Sequence, residues 1–97
     1  MNIGDIVTVV TVSGEYVGKF VDNNAGYLTI GAPRMVLTSG DGKMGFARGI
    51  AVTGVDGCDE VCFENVVFMT PTNDQVANAW KEATGNILTP PKPTIVK

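Results

Sequence analysis

The segment from Asp5 to Val12 restricts the fold more than any other part of this 97-residue chain. It reads Asp-Ile-Val-Thr-Val-Val-Thr-Val, and the β-branched residues that dominate it favour an extended strand. Both of its alternating faces are largely apolar, whereas a strand with one solvated face alternates apolar and polar residues. The sequence therefore predicts a strand that is either buried on both sides or bent round a small barrel.

Further strands are predicted between turns that are rich in Gly, Asn and Asp. They cover residues 16–21, residues 27–30 with a resumption at 34–37 after an interruption at Pro33, residues 44–53, and residues 61–69 with a polar break at Glu64-Asn65. Gly18, in the middle of the second strand, indicates a sharp bend or the close approach of another backbone. Residues 44–53 alternate large and small side chains, with Arg48 as the exception on the large face.

A helix is predicted near residues 73–84, where the hydrophobic period changes. The T-x-x-Q spacing from Thr72 to Gln75 is that of a capping box, and Gly85 is a natural helix end. One helical face carries the apolar residues Val76, Ala79, Trp80 and Ala83. Because so short a helix is marginal in isolation, we expect Trp80 to hold it against the rest of the domain.

The predicted fold class is mainly β: a small, five-stranded, strongly bent barrel of the OB or Sm-like type with one C-terminal α-helix. A chain of 97 residues supports one compact core. We assign residues 1–71 to the barrel and residues 72–85 to the helix packed on it. Residues 86–97 contain three prolines and are predicted to be a flexible tail.

The chain has no histidine, which argues against an enzyme. Without histidine there is no Ser–His or Cys–His nucleophile pair, and the commonest metal ligand is missing. Cys58 and Cys62 have a spacing that matches no standard metal or redox pattern, so we interpret them as reduced thiols in a cytoplasmic protein. We expect no catalytic residue, no metal and no other cofactor. No apolar run approaches the ~20 residues of a membrane span, so no membrane partner is expected.

For two motifs we prefer a structural interpretation to a functional one. Residues 40–45 match G-x-G-x-x-G, but a phosphate loop must lead from a strand into a helix, and here a strand follows. We therefore predict a hairpin tip. An acidic cluster fits no calcium loop and is interpreted as a solvated turn; its members are Asp56, Asp59, Glu60 and Glu64.

The turn Asp22-Asn23-Asn24, with Tyr27 after it, is the strongest candidate for recognition of nucleic acid. Amide groups can pair with base edges, and an aromatic ring can stack on a base. An ordinary Asn-rich turn is the alternative. Arg48 is either a phosphate or base contact or half of an intersubunit ion pair. Since the net charge is −3, nucleic-acid binding requires the few basic residues to be gathered on one surface.

Three segments resemble the Sm/LSm family of ring-forming RNA-binding proteins: residues 12–20 are similar to the first Sm motif, residues 28–32 to the third strand, and residues 61–71 to the closing strand pair. Within that family the chain resembles the small Sm-like proteins of marine cyanophages. It departs from the family pattern in the first motif, where Asp22 follows Gly18 by four residues instead of six. The Arg-Gly of the second motif corresponds either to Arg48-Gly49 or to Glu64-Asn65, and the flanking sequence favours the later position.

The resemblance implies a non-enzymatic homo-oligomeric ring of about five to seven subunits, joined by pairing between edge strands. It implies that single-stranded RNA or DNA binds near the pore, in a role in RNA/DNA processing. The residues it nominates for contact with nucleic acid are Asp22, Asn23, Asn24 and Tyr27, Asn65 or Arg48, and the phosphate-contacting Lys19, Arg34 or Arg48.

The same resemblance implies a cytoplasmic location, in a bacterial host cell if the protein is phage-encoded. A second hypothesis is that the ring itself is the function, as a structural or assembly component of a phage particle that binds no nucleic acid. The acidic balance of the chain favours this alternative.

Overall fold

A computed structural model describes residues 1–85, so the predicted tail, residues 86–97, lies outside the described residues. The predicted fold class is confirmed: the protein is mainly β, with one antiparallel sheet and a C-terminal helix. The elements are β1 (Ile6–Thr11), β2 (Gly14–Asn24), β3 (Tyr27–Thr38), β4 (Met44–Phe46), β5 (Glu60–Glu64), β6 (Phe68–Pro71) and α1 (Asp74–Ala83).

The sheet is strongly bent, and its connectivity requires this. The strands follow the order β5-β3-β2-β1-β6, with β4 paired to the far half of β3. In a flat sheet β5 and β6 would lie about 19 Å apart, since neighbouring strands are ~4.8 Å apart. Only residues 65–67 join them, and such a link spans at most about 14 Å. The sheet therefore curls until its two ends approach each other.

The prediction of one strand over residues 61–69 is wrong, because this segment forms the two strands at opposite ends of the sheet. The predicted polar break at Glu64-Asn65 is where β5 ends. β5 pairs with β3, and β6 pairs with β1. The break is thus the position at which the chain crosses from one end of the curled sheet to the other.

The predicted interruption of the third strand at Pro33 is also wrong, since β3 continues through it. Two residues of β3, Ala32 and Pro33, lie opposite the single Gly18 of β2, which is a β-bulge. A proline is tolerated at a bulge because no ladder hydrogen bond is lost there. At the same point β3 changes its outer partner, from β5 at residues 27–31 to β4 at residues 36–38.

Gly18 is the site of a close backbone approach, as predicted. A β-carbon placed there would lie 2.7 Å from the carbonyl oxygen of Gly31 and 2.9 Å from Cδ1 of Ile30. Any larger residue would push β2 away from β3, so glycine is required for the curl of the sheet at the bulge.

The predicted strand over residues 44–53 is wrong beyond its start, because β4 covers only Met44–Phe46. Residues 47–59 form a loop. The alternation of large and small residues is satisfied only in part: Ile50 packs at the edge of the core, whereas Val52 is fully exposed. The glycine and alanine positions have little side chain to pack, and glycine loses much entropy in a strand, so the extended pairing stops early.

The inner face of the curled sheet holds the main core. Its buried members come from the first three strands and are Val7, Val9, Tyr16, Leu28 and Ile30. The ring of Tyr16 packs on Phe63 of β5, with ring centroids 4.9 Å apart. Strands from both halves of the chain thus close over the same interior.

Helix α1 packs on the outer face and buries a second, smaller layer. Val17 follows Tyr16 along β2 and so points to the opposite face, yet it is only 1% exposed. Trp80 is also buried, and its Nε1–H donates to the carbonyl oxygen of Ala32 at 3.0 Å. The prediction that Trp80 holds the helix to the sheet is confirmed. The two faces of the sheet are thus covered by different layers: Tyr16 is buried on the inner face and Val17 on the outer face beside α1.

The predicted helix is confirmed, with a different cap. Asn73 occupies the N-cap, and its side-chain oxygen accepts the N–H of Val76 at 2.9 Å. Thr72, the cap expected from the sequence, contacts Thr8 Oγ1 on the sheet instead, at 2.8 Å. Gly85 has φ +66, which is the left-handed conformation typical of a helix end.

Candidate nucleic-acid interface

The Asn-rich turn at the tip of the β2–β3 hairpin is divided between the two faces of the sheet. Asn23 pairs with Leu28, whereas Asn24 pairs with Tyr27. Paired residues share a face and successive residues alternate, so Asn23 lies on the inner face with the buried Leu28. Asp22, Asn24 and Tyr27 lie on the outer face. The structure therefore does not gather the four predicted residues into one site.

The turn between β5 and β6 approaches the same hairpin tip. Because β5 pairs with β3, its last residue, Glu64, lies opposite Tyr27. Asn65 follows with φ +59, a left-handed conformation that asparagine adopts more readily than most residues. The turn is anchored to β1 by the N–H of Val67, which donates to the carbonyl oxygen of Val10 at 2.8 Å.

Asn23 and Asn65 both line one cleft of about 390 Å³, which we call the amide cleft. The other lining residues are Gly26, Leu28, Val66 and Met69. Three of these are apolar side chains that also belong to the core or pack against it. The amide cleft thus has an apolar floor and two amide groups that come from turns far apart in sequence.

Both amides are available to a ligand. None of the side-chain hydrogen bonds formed within residues 1–85 uses the side chain of Asn23 or Asn65. Each amide offers two N–H donors and a carbonyl acceptor. The lining of the cleft carries no charged side chain. A planar, uncharged group with donors and acceptors on its edge fits this chemistry.

The structure brings Asn65, and not Arg48, to the predicted turn. Arg48 lies in the loop after β4 and lines a separate cleft of about 270 Å³ with Arg34 and Asp56. Of the two sequence positions considered for the second half of the site, the later one is therefore adjacent to Asn23. Arg48 is exposed, and its backbone carbonyl accepts the N–H of Gly57 at 2.8 Å.

The other predicted basic residues also lie away from the amide cleft. Lys19 and Arg34 line a cleft of about 600 Å³ near the end of α1, together with the acidic Asp59 and Glu60. The guanidinium of Arg34 donates to the carbonyl oxygen of Pro33 at 3.0 Å. Basic residues here share their surface with carboxylates, so they form no uniformly positive patch.

Tyr27 is 48% exposed on the outer face, between Asn24 on one neighbouring strand and Glu64 on the other. Its ring is open to solvent and adjoins the hairpin tip without lining the amide cleft. Sequence reasoning found Asn23 and Asn65 but missed the floor, which is built by Leu28, Val66 and Met69. The sequence signal for this floor is the apolar residues that closely follow each turn.

The residues set aside in the sequence remain outside the candidate site. Cys58 and Cys62 carry free thiols. The G-x-G-x-x-G segment forms the turn between β3 and β4 and the first two residues of β4, which confirms the predicted hairpin tip. There the Ser39 hydroxyl and the backbone N–H of Lys43 donate to the carboxylate of Asp41 and lower the pKa of that carboxyl. Among residues 1–85, no group of His, Cys, Asp and Glu is arranged to hold a metal ion.

Within the described residues, no helix has the length and apolar character needed to cross a bilayer. Comparison with known proteins finds no family model that matches the chain and no matching curated protein. Function must therefore be inferred from the geometry of the amide cleft and from the strand order of the sheet.

Proposed function

We propose that this chain is a ring-forming Sm-like protein that binds single-stranded RNA or DNA in the amide cleft and takes part in RNA/DNA processing. The observation that carries the proposal is the convergence of Asn23 and Asn65 over an apolar floor. When a base lies on this floor, its apolar face leaves water and packs against Leu28, Val66 and Met69. The two amides pair with its edge, which is a common means of recognising unpaired bases.

A neighbouring base can stack on Tyr27, whose ring is exposed on the outer face of the same hairpin. Base–aromatic stacking contributes about 1–3 kcal/mol per base and tolerates any base. In this proposal the cleft provides selectivity and Tyr27 adds affinity. The single-stranded form is favoured because a paired base has no free edge for the amides and no free face for the ring.

Ring formation is supported by the two ends of the sheet. Within residues 1–85, the outer edges of β5 and β6 have no partner strand. Val67 and Phe68, at the start of the β6 edge, are 60% and 52% exposed. Unpaired edges are usually covered by another chain or otherwise protected. Pairing of β5 in one copy with β6 in the next joins two different edges, and repetition of such a contact forms a ring when the rotation between copies closes.

A second candidate is a structural or assembly ring that binds no nucleic acid. One observation favours it: the basic residues of β2 and β3, Lys19 and Arg34, share a cleft with Asp59 and Glu60 and are not gathered beside the amides. Both candidates require assembly, and only the first requires the amide cleft. Assembly and binding must therefore be measured separately.

Analytical ultracentrifugation of the full chain tests assembly. We expect a single species several times the 10.2 kDa mass of one subunit. Phe68→Asp places a charge on the β6 edge and should shift the protein to monomers. Val52→Asp is the matched control, because Val52 is fully exposed in the loop after β4 and should leave the assembly unchanged. A monomeric wild-type protein would remove both candidates.

Filter binding of short U-rich and A-rich oligonucleotides tests the cleft. Asn23→Ala should weaken binding about tenfold, which corresponds to the loss of one to two hydrogen bonds of ~1 kcal/mol each. Asn24→Ala changes the adjacent, identical residue on the outer face and should weaken binding far less. If an assembled ring retains neither oligonucleotide even at low salt, the structural candidate replaces the nucleic-acid one.

A further inference from the structure

The geometry points to a ligand that the amide cleft recognises by its base alone, with no contribution from phosphate. This inference rests on the proposed function and narrows its ligand to a nucleoside unit. It also predicts an unusual property for a nucleic-acid-binding protein: the affinity of the cleft should be nearly independent of salt.

The first support is the charge of the lining. The residues that surround the amide cleft are all uncharged. The residues that directly precede the two amides in sequence are Asp22 and Glu64, and both are exposed carboxylates. A phosphate held beside either amide would be repelled by a neighbouring negative charge.

The second support is the position of the cations. Lys19 and Arg34 line the cleft near the end of α1, and Arg48 lines the cleft beside Asp56. Lys19 is on the same strand as Asn23 but precedes it by four residues, about 13 Å along an extended chain. That separation exceeds the Debye length of ~8 Å at physiological salt, so this charge is largely screened.

The third support is the chemistry that the cleft does offer. Two amides without protein partners and a floor of Leu28, Val66 and Met69 match the edge and the face of a heterocycle. Binding through the phosphates of an oligonucleotide releases condensed counterions and therefore falls steeply with salt, and attraction to a single phosphate is weakened by screening. Burial of a heterocycle between apolar groups and amides releases no counterions, so salt should have little effect.

The test is an NMR titration of the full chain with adenosine, guanosine, cytidine and uridine, and with their 5′-monophosphates, at 50 and 200 mM salt. We expect at least one nucleoside to shift the amide resonances of Asn23 and Asn65. Its 5′-monophosphate should bind no more than about twofold more tightly, and the affinity of the nucleoside should change less than about twofold between the two salt concentrations.

Asn65→Gly is the sharpest variant, because glycine keeps the positive φ of the turn while the amide is removed. We expect it to weaken nucleoside binding about tenfold. Asn23→Ala is the second variant and changes the other turn. Asn24→Ala should leave the affinity unchanged. If both amide variants bind nucleosides as the wild type does, the cleft is not the site and the inference is overturned.

A monophosphate that binds tenfold or more tightly than its nucleoside, with an affinity that falls as salt is raised, would overturn the inference and leave the proposed function standing. Binding of oligonucleotides without binding of any nucleoside would have the same meaning. Absence of binding for nucleosides, monophosphates and oligonucleotides alike would remove the proposed function as well.

Discussion

The two faces of the sheet differ in what covers them. The inner face is closed by the sheet itself, which curls so that Tyr16 meets Phe63 from the far end of the strand order. The outer face is covered at only one end, where α1 packs on β2 and both Val17 and Trp80 are buried. At the other end it is bare, and Tyr27 is exposed there.

This difference shows that neighbouring apolar residues of one strand do not specify what buries them. On β2, Tyr16 is covered by sheet curvature and Val17 by a helix, although the two residues are adjacent. Towards the tip of the same strand both covers end, and polar residues replace apolar ones. The amide cleft lies on the inner face at that tip, where Asn23 and Asn65 adjoin the edge of the core.

Trp80→Ala should produce the largest loss of stability, because it removes most of the outer layer. We expect the free energy of unfolding to fall by about 3–5 kcal/mol, as for other buried aromatic residues. Chemical denaturation measures this. Trp80→Phe is the control that keeps a ring but loses the hydrogen bond to Ala32, and it should cost less. A negligible effect of Trp80→Ala would mean that the inner face alone stabilises the domain.

Gly18→Ala tests the inner face by breaking its curl. The added methyl group would meet the Gly31 carbonyl oxygen and Ile30, so we expect a loss of about 1–3 kcal/mol in thermal or chemical unfolding. Gly45→Ala is the matched control, because a β-carbon there meets no atom within 4 Å. Equal effects of the two substitutions would contradict the close approach of β2 and β3.

Asn73→Ala probes how firmly the outer layer is attached. Loss of the cap to Val76 should destabilise α1 by about 1 kcal/mol and should leave the inner face unchanged. Asn78→Ala, in the exposed middle of the same helix, should have no destabilising effect because alanine favours helix. In a hydrogen-exchange experiment, Asn73→Ala should speed exchange in α1 and leave exchange in β1 unchanged. Asn78→Ala should speed exchange in neither element.

The smallest effect concerns the β3–β4 turn, which belongs to neither layer. Hydrogen bonds from Ser39 and from the backbone of Lys43 lower the pKa of Asp41, so the carboxylate is favoured in the folded state. Their contribution is present above the ordinary pKa of aspartate and is lost as pH falls through the lowered value. NMR titration should show the pKa of Asp41 rising in Ser39→Ala, while the denaturation midpoint near neutral pH barely changes.

Local patterns predicted the parts of this protein that depend on neighbours in sequence. The β-branched run at β1, the apolar face that carries Trp80 and the close approach at Gly18 are all apparent in the sequence. The same is true of the two turns that contribute Asn23 and Asn65. Each of these features depends on backbone propensity or on a short hydrophobic period. Both kinds of signal are contained in a segment of about ten residues.

The tertiary structure decided how those parts meet. The separation of Asn23 from Asn24 follows from pairing register, in which a shift of one residue would exchange the two faces. The convergence of Asn23 with Asn65, the distance of Arg48 from both and the early end of β4 depend on strand order and curvature. These features arise from burial summed over the whole sheet. A hydrophobic residue in the sequence indicates that its side chain is buried, but it does not identify the partner that buries it.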